Sequence, residues 1–375
     1  MGEGGELASR VRDTNQTTMN RIYNFSAGPA ILPVSVLEEA AEAVREYDGS
    51  GMSLLELSHR GKHYDPIHAE ALSGVLEVLG LSADEFSVAL LGGGASLQFA
   101  MVPMNFLESG QTADYIIGGE WGAKAAEDAR RFGTVHVAGQ ATDRLPEISL
   151  SGQAHYVHLT TNNTIEGTQM HGALPGVGEA ALIADASSDI FGAERDHSRF
   201  DLLYFGAQKN AGAAGVTAVV IRKSFLETAK KDMPPMLSYK TQVAKDSLYN
   251  TPPVFPIFVL SRVLRWIKSE GGVATVAARN ARKAGVIYTA LDAAPDTYQP
   301  CIAETSHRSW MNVTWRMADE RLEKELLVEA QQSGMDGLKG HRNVGGFRAS
   351  IYNAFPEEGC QALADLLTDF ARRKG

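Results

Sequence analysis

The 375-residue sequence predicts an α/β protein, with a large unit built on a mostly parallel seven-stranded sheet and a smaller C-terminal α/β unit. Three observations predict it. Seven short, continuous apolar runs recur between Ser87 and Ile221, without the polar alternation of a half-exposed strand. Helical stretches such as Trp121–Phe132 separate several of them, the pattern of parallel strands joined by crossovers. After Pro252-Pro253 the texture changes to longer helices with two further strands.

Residues 1–21 read as a loose polar extension. They lack the apolar stretch of a secretory signal, and Glu6 stands where an N-myristoylation signal wants Ser or Thr. Ser35 and Glu38 have capping-box spacing, and Leu37, Ala40, Ala41 and Val44 then recur at helical spacing up to Gly49. A second helix follows Pro66, with His68, Leu72, Val75, Leu76 and Leu79 on one face and Gly80 as its C-cap. The expected strands are Ser87–Leu91, Tyr115–Ile117, Val135–Val137, Tyr156–Leu159, Ala181–Ala184, Leu202–Phe205 and Thr217–Ile221, with a helix through Leu97–Leu107 after the first. Pro256 is read as a break in the apolar run Val254–Leu260. Helices through Ser261–Ser269 and Val273–Leu291 follow, separated by Gly271-Gly272. Then come a strand at Met311–Arg316, a helix at Arg321–Gln332, a strand at Arg348–Ile351 and a last helix from Pro356. This reading places the large unit at residues 22–262 and the small one at 263–375.

Composition excludes several classes. An apolar fraction of 44% is that of a globular chain, not a disordered one. Lys+Arg 35 against Asp+Glu 45 gives a net charge of −10, which argues against nucleic acid as a partner. Cys301 and Cys360 are far apart and in no CxxC pair, so both read as free thiols of a cytoplasmic protein. No apolar run has the length of a membrane span.

In open parallel sheets, ligands sit beyond the carboxyl ends of the strands, so chemistry is sought in the residues after each run. Leu202–Phe205 is followed by Gly206-Ala207-Gln208-Lys209-Asn210. Desolvation lowers a lysine pKa and frees a nucleophilic amine, as a Schiff base with an aldehyde requires; a surface lysine in a turn is the alternative. Asp185, 24 residues earlier, ends the preceding run. A carboxylate there can pair with a pyridinium nitrogen, or simply cap a helix. The loop Gly92-Gly93-Gly94-Ala95-Ser96 opens a helix and offers an anion its backbone N–H groups. It lacks the third glycine of a dinucleotide fingerprint, and a plain tight turn is the other reading. Trp121 and Thr164 follow two further strands, one an aromatic to stack on a flat ring, the other a hydroxyl for a ring oxygen or a phosphate. Each alone is ambiguous. Five in order, at successive strand ends, specify a pyridoxal-phosphate site.

Two cationic clusters stand out in this acidic chain: Ser58-His59-Arg60-Gly61-Lys62-His63 and His341-Arg342 through Arg348. Arginine forks grip carboxylate and phosphate, so a small polyanionic substrate is expected. A zinc set from His59, His63 and His68 is the weaker reading, because Gly61 and Pro66 interrupt a shared helical face, and no metal is expected.

These residues carry a family resemblance. Asn24-Phe25-Ser26-Ala27-Gly28-Pro29-Ala30, Glu56-Leu57-Ser58-His59-Arg60-Gly61-Lys62, Gly206-Ala207-Gln208-Lys209-Asn210, Tyr249-Asn250-Thr251-Pro252-Pro253 and Gly340-His341-Arg342 through Ser350 resemble the phosphoserine aminotransferases, a branch of the class V aminotransferases of fold type I. The resemblance runs from about residue 22 to the C-terminus. It implies transfer of an amino group between glutamate and 3-phosphohydroxypyruvate, with pyridoxal 5'-phosphate as cofactor. By that resemblance Lys209 would carry the cofactor, Asp185 would hold its ring nitrogen, Trp121 would stack on the ring and Thr164 would contact its 3-oxygen side. Ala95, Ser96 and Gln208 would hold its phosphate. Asn250 and Thr251 would reach the same phosphate from the neighbouring subunit of a homodimer. Arg348 would grip the substrate α-carboxylate, and His59, Arg60, His341 and Arg342 the substrate phosphate or the distal carboxylate of glutamate. Some relatives have arginine where this chain has Ala95-Ser96. Another class V transaminase or a cysteine desulfurase is the alternative, the latter needing a reactive thiolate.

Overall fold

The computed structural model describes residues 21–172, 174–342 and 344–374, so all but Arg21 of the expected N-terminal extension lies outside the described residues. The seven expected strands form one sheet. Its spatial order is Phe86–Leu91, Thr217–Arg222, Leu202–Gly206, Ala181–Asp185, Ala154–Thr160, Thr112–Ile117 and Thr134–Gln140. Thr217–Arg222 runs antiparallel to both neighbours, and every other pairing is parallel. The other six strands therefore point the same way, and their carboxyl ends share one edge.

The continuous apolar runs are explained by two cores. Along Phe86–Leu91, Val88 and Leu90 enter one apolar cluster while Ala89 and Leu91 enter another. Leu203 and Phe205 against Leu202 and Tyr204 repeat the division, as do Val220 and Val219. Side chains alternate across a strand, so a sheet covered on both faces needs apolar residues at odd and even positions alike. Helices Val34–Arg45, Asp65–Leu79 and Val254–Ser269 cover the first face, and Gly94–Phe106 and Glu120–Ala129 the second.

A third apolar cluster joins helices Gly272–Asp292 and Glu357–Lys374 to a small antiparallel sheet of Tyr298–Pro300, Asn312–Met317 and Phe347–Ser350. Phe25 is buried in that cluster, and Tyr23–Asn24 pairs in parallel with Met335–Asp336. Residues 23–25 thus pack on the distant C-terminal part of the chain. Residues 25–30 then cross to the lysine turn, where the Ala30 N–H donates to the Gln208 carbonyl at 2.9 Å.

Local expectations failed at two helix starts. The first helix begins at Val34 behind Pro33, and Ser35, expected as its cap, lies inside the first turn. The helix ends at Arg45, because Glu46 turns extended and its carboxylate accepts from the Gly49 and Gly51 N–H groups. Pro256 does not break its run, since the helix starts at Val254 and places Pro256 in its first turn. There the missing N–H has no intrahelical acceptor to lose. Gly80 does cap its helix, with φ +69°. Among the described residues no helix is long and apolar enough to cross a membrane.

Candidate active site

The common carboxyl edge gathers the expected residues. A cavity of about 130 Å³ is lined by Gly94, Ala95, Ser96, Trp121, Thr164, Asp185, Gln208 and Lys209, and also by Phe99, Thr160, Asn162, Ser187 and Ser188. Each position follows from local chain geometry. Gly93 caps the Gly94–Phe106 helix with φ +92°, and a Cβ there would lie 2.5 Å from Leu97 Cδ2, so only glycine fits the turn. Gly94, Ala95 and Ser96 of the first helical turn, whose N–H groups have no intrahelical acceptor, thus line the cavity. Trp121 lies in the first turn of the Glu120–Ala129 helix; its Nε1 is buried without a partner. Thr164 sits at the tip of the hairpin pairing Asn162–Asn163 with Thr168–Gln169.

Lys209 Nζ donates to Thr164 Oγ1 at 2.7 Å. Burial pushes the Lys209 amine down to about 8, opposed by Asp185 and reinforced by Arg348. Asp185 ends the strand beside Leu202–Gly206 and is paired in register with Tyr204. Its Oδ1 accepts from the Ser187 N–H at 2.9 Å, and burial still pushes its carboxyl above the usual range. Asp189, four residues on, is a contrast. It accepts from Thr161 Oγ1, from Gln169 Nε2 at 3.1 Å and from Arg195 Nη2 at 3.0 Å. Asp189 is saturated by its own fold, whereas Asp185 faces the cavity with charge to share.

Arg348 lies on Phe347–Ser350, with Nη1 3.5 Å from the Thr164 carbonyl and its Nε buried without a partner. Burial pushes its guanidinium down from the ordinary value. An under-bonded guanidinium beside the lysine is a ready carboxylate fork.

Neither Arg348 nor the remaining expected residues are among those lining this cavity. Arg60 is exposed, donating from Nη2 to the Leu248 carbonyl at 3.0 Å, and His59 precedes it. Asn250 and Thr251 are exposed side by side. His341 anchors a turn by accepting at its carbonyl from the Val344 and Gly345 N–H groups, and Arg342 is exposed. His68 is engaged elsewhere, Nδ1 with Tyr64 Oη at 3.0 Å and Nε2 with the Asp246 carbonyl at 2.6 Å. Among the described residues no group of three or more His, Cys, Asp or Glu side chains is arranged to hold a metal ion. Cys360 is buried with its thiol pushed up to about 12, and burial raises the Cys301 thiol as well, so neither is a ready thiolate.

Sequence reasoning missed Thr160, Asn162, Ser187 and Ser188. Thr160 ends its strand, Asn162 lies two residues beyond it, and Ser187 and Ser188 lie two and three beyond Asp185, so the strand-end rule carried three residues past each strand would have found them.

The residues fit pyridoxal phosphate. Asp185 offers a buried carboxylate that lines the cavity for a cationic ring nitrogen, and Thr160 Oγ1 and Trp121 Nε1 are buried polar atoms with no partner. The opening helical turn suits a phosphate, and Lys209 suits an aldehyde.

Comparison with known proteins agrees. Residues 22–363 match the family model for aminotransferase class-V. Phosphoserine aminotransferase of Lysinibacillus sphaericus is 48% identical over 360 residues, 94% of this chain and 99% of that protein. The solved phosphoserine aminotransferase from Bacillus circulans subsp. alkalophilus superposes with a TM-score of 0.91 at 46% identity, covering 95% of this chain and 99% of that one. The PLP-bound phosphoserine aminotransferase from Trichomonas vaginalis gives a TM-score of 0.87 at 35% identity, covering 92% and 99%.

Proposed function

The chain belongs to the class-V aminotransferases, and from that premise we propose that it is a phosphoserine aminotransferase. It moves an amino group between glutamate and 3-phosphohydroxypyruvate, giving O-phosphoserine and 2-oxoglutarate, with pyridoxal phosphate as cofactor. The observation that carries the reading is Lys209, held at the cavity by Thr164, beside the buried and incompletely paired Asp185 on the adjacent strand.

Gly94, Ala95, Ser96 and Gln208 hold the cofactor phosphate in this reading, Trp121 covers the ring face, and Asp185 keeps the ring nitrogen protonated. When bound, pyridoxal phosphate supplies an aldehyde that takes the amino group and a ring that accepts the electron pair left at Cα. Lys209 Nζ moves the α-proton. Its pKa of about 8 leaves a useful neutral fraction near neutral pH, where a positioned base contributes about 10²–10⁴ in rate. Arg348 orients the α-carboxylate.

His59, Arg60, His341 and Arg342 take the second anionic end of either substrate. Because they lie outside the cavity of one chain, with Asn250 and Thr251, we infer a homodimer in which a second copy completes each site. A cytoplasmic location is part of the same proposal, as is a two-unit division at residues 22–262 and 263–375; the third apolar cluster supports a separate small unit, while the Val254–Ser269 helix spans that boundary and packs on the large sheet, and Phe25 packs in the small unit's cluster.

The test is steady-state transamination with glutamate as donor, comparing 3-phosphohydroxypyruvate with pyruvate and glyoxylate, with Lys209→Ala as control. A strong preference for the phosphorylated acceptor, and no turnover or visible cofactor absorbance in Lys209→Ala, is expected. Equal use of the three acceptors, or an active Lys209→Ala chain, overturns the reading.

A further inference from the structure

Glu166 is half-buried, and its carboxyl, with Oε2 out of solvent, is not used by the mechanism above. It follows Thr164 by two residues and closes the same hairpin. Its Oε1 accepts from the Glu120 N–H at 2.9 Å, the residue before Trp121, while its Oε2 is buried without a partner. Behind it, Thr314 Oγ1 donates to the Glu166 carbonyl at 2.8 Å, tying the hairpin to the small sheet.

The fit on the other side is tight. A Cβ on Gly119 would overlap the Glu166 carboxylate, and one on Gly118 would overlap the Asn163 amide. Gly119 has φ 176°, an extended backbone open to any residue. Its lack of a side chain therefore reflects the space Glu166 occupies, not its own backbone. The hairpin carrying Thr164 is thus keyed into the segment that launches the Trp121 helix.

We propose that Glu166 is a positioning residue, wedged against Gly119 to set Trp121 on the cofactor ring in register with the Thr164–Lys209 side of the cavity. Two contacts act together: the carboxyl oxygen fixes the first N–H of the Trp121 helix, and its bulk fixes the height of the Gly118-Gly119 turn. Trp121 has no hydrogen bond at Nε1 to hold its indole, so its placement depends on the backbone it stands on. Burial pushes the Glu166 carboxyl up, and the Glu120 N–H, the carboxylate of Glu120 and the Arg348 guanidinium are the other groups acting on it. A carboxyl kept in so costly a place is consistent with a positional task.

The proposal rests on pyridoxal phosphate occupying this cavity. Its experiment reads the cofactor, not turnover: the release rate of pyridoxal phosphate from the holoenzyme and the induced visible circular dichroism of the bound ring. Glu166→Ala is expected to release cofactor at least about tenfold faster, the size of a backbone N–H left without its acceptor, with weakened dichroism. Glu166→Gln keeps an oxygen acceptor and the same bulk, and stays near wild type. Gly119→Ala, which drives the carboxyl out from the other side, reproduces the Glu166→Ala defect. The double variant Gly119→Ala/Glu166→Ala is no worse than Glu166→Ala alone, because the new methyl occupies the vacated space.

The proposal is overturned if Glu166→Ala and Gly119→Ala leave release and dichroism at wild-type values. It is equally overturned if the double variant multiplies the two defects, or if Glu166→Gln fails as badly as Glu166→Ala. The cofactor assignment itself fails differently, as a wild-type chain that retains no pyridoxal phosphate.

Discussion

Lys209 and Asp185 show how much of the chemistry is settled by what a side chain lacks. Asp189, with Thr161, Gln169 and Arg195 upon it, is spent on holding its loop. Asp185 is buried with less compensation, which leaves its carboxylate for a cationic ring nitrogen under the proposed function. Lys209 follows the same logic with opposite sign, since burial disfavours its ammonium and lowers the pKa to about 8. Below that pH the amine is protonated and cannot attack a carbonyl; above it the neutral form dominates. Capture of pyridoxal phosphate by the cofactor-free chain should therefore accelerate as pH rises through about 8 and level off beyond. Stopped-flow absorbance across that range checks it, and a rate still climbing well above pH 9–10, roughly the ordinary lysine range, would refute the depressed pKa.

At the scale of elements, the strands were legible because both of their faces are buried, which leaves an unbroken apolar run in the sequence. Helix starts were less so. Ser35 has the chemistry of a cap, but Pro33, with its fixed φ, begins the helix two residues earlier. Short pieces such as Tyr23–Asn24 and Asn162–Asn163 have no periodicity to read, because two residues carry no pattern. The Gly93 turn at the start of the Gly94–Phe106 helix gives the prediction at this scale. Gly93→Ala places a Cβ at φ +92° and against Leu97, so it should cost about 1–3 kcal/mol in stability and weaken cofactor retention together. Denaturant unfolding of the cofactor-free chain, with cofactor titration beside it, measures both. A destabilised chain that holds cofactor normally would separate the turn from the site.

For the whole molecule, the net charge of −10 coexists with arginines and histidines gathered on two segments. An acidic average repels large polyanions, yet a local cationic cluster can still bind a small one. His59, Arg60, Asn250 and Thr251 stand outside the cavity of one chain, which makes the dimer testable by complementation. A Lys209→Ala chain is mixed with one carrying Asn250→Ala and Thr251→Ala. If each site takes its lysine from one copy and Asn250-Thr251 from the other, the mixed dimer regains one intact site and its activity exceeds that of both parents. No gain on mixing would return Asn250 and Thr251 to their own chain's surface.

The sequence by itself determined the seven strands and the order of the residues that follow them, and it grouped Lys209, Asp185, Trp121, Thr164 and the Gly94-Ala95-Ser96 turn, which line one cavity. Apolar runs and strand-end residues are local features, and a shared carboxyl edge is a rule of parallel sheets. Only the tertiary structure decided which residues meet: that Thr160, Asn162, Ser187 and Ser188 join the lining, that residues 23–25 pack on the C-terminal part, and that Glu166 wedges against Gly119. Those contacts join positions 19 to more than 300 residues apart, or depend on which of several similar side chains is left unpaired. Separation along the chain erases such information, and packing restores it.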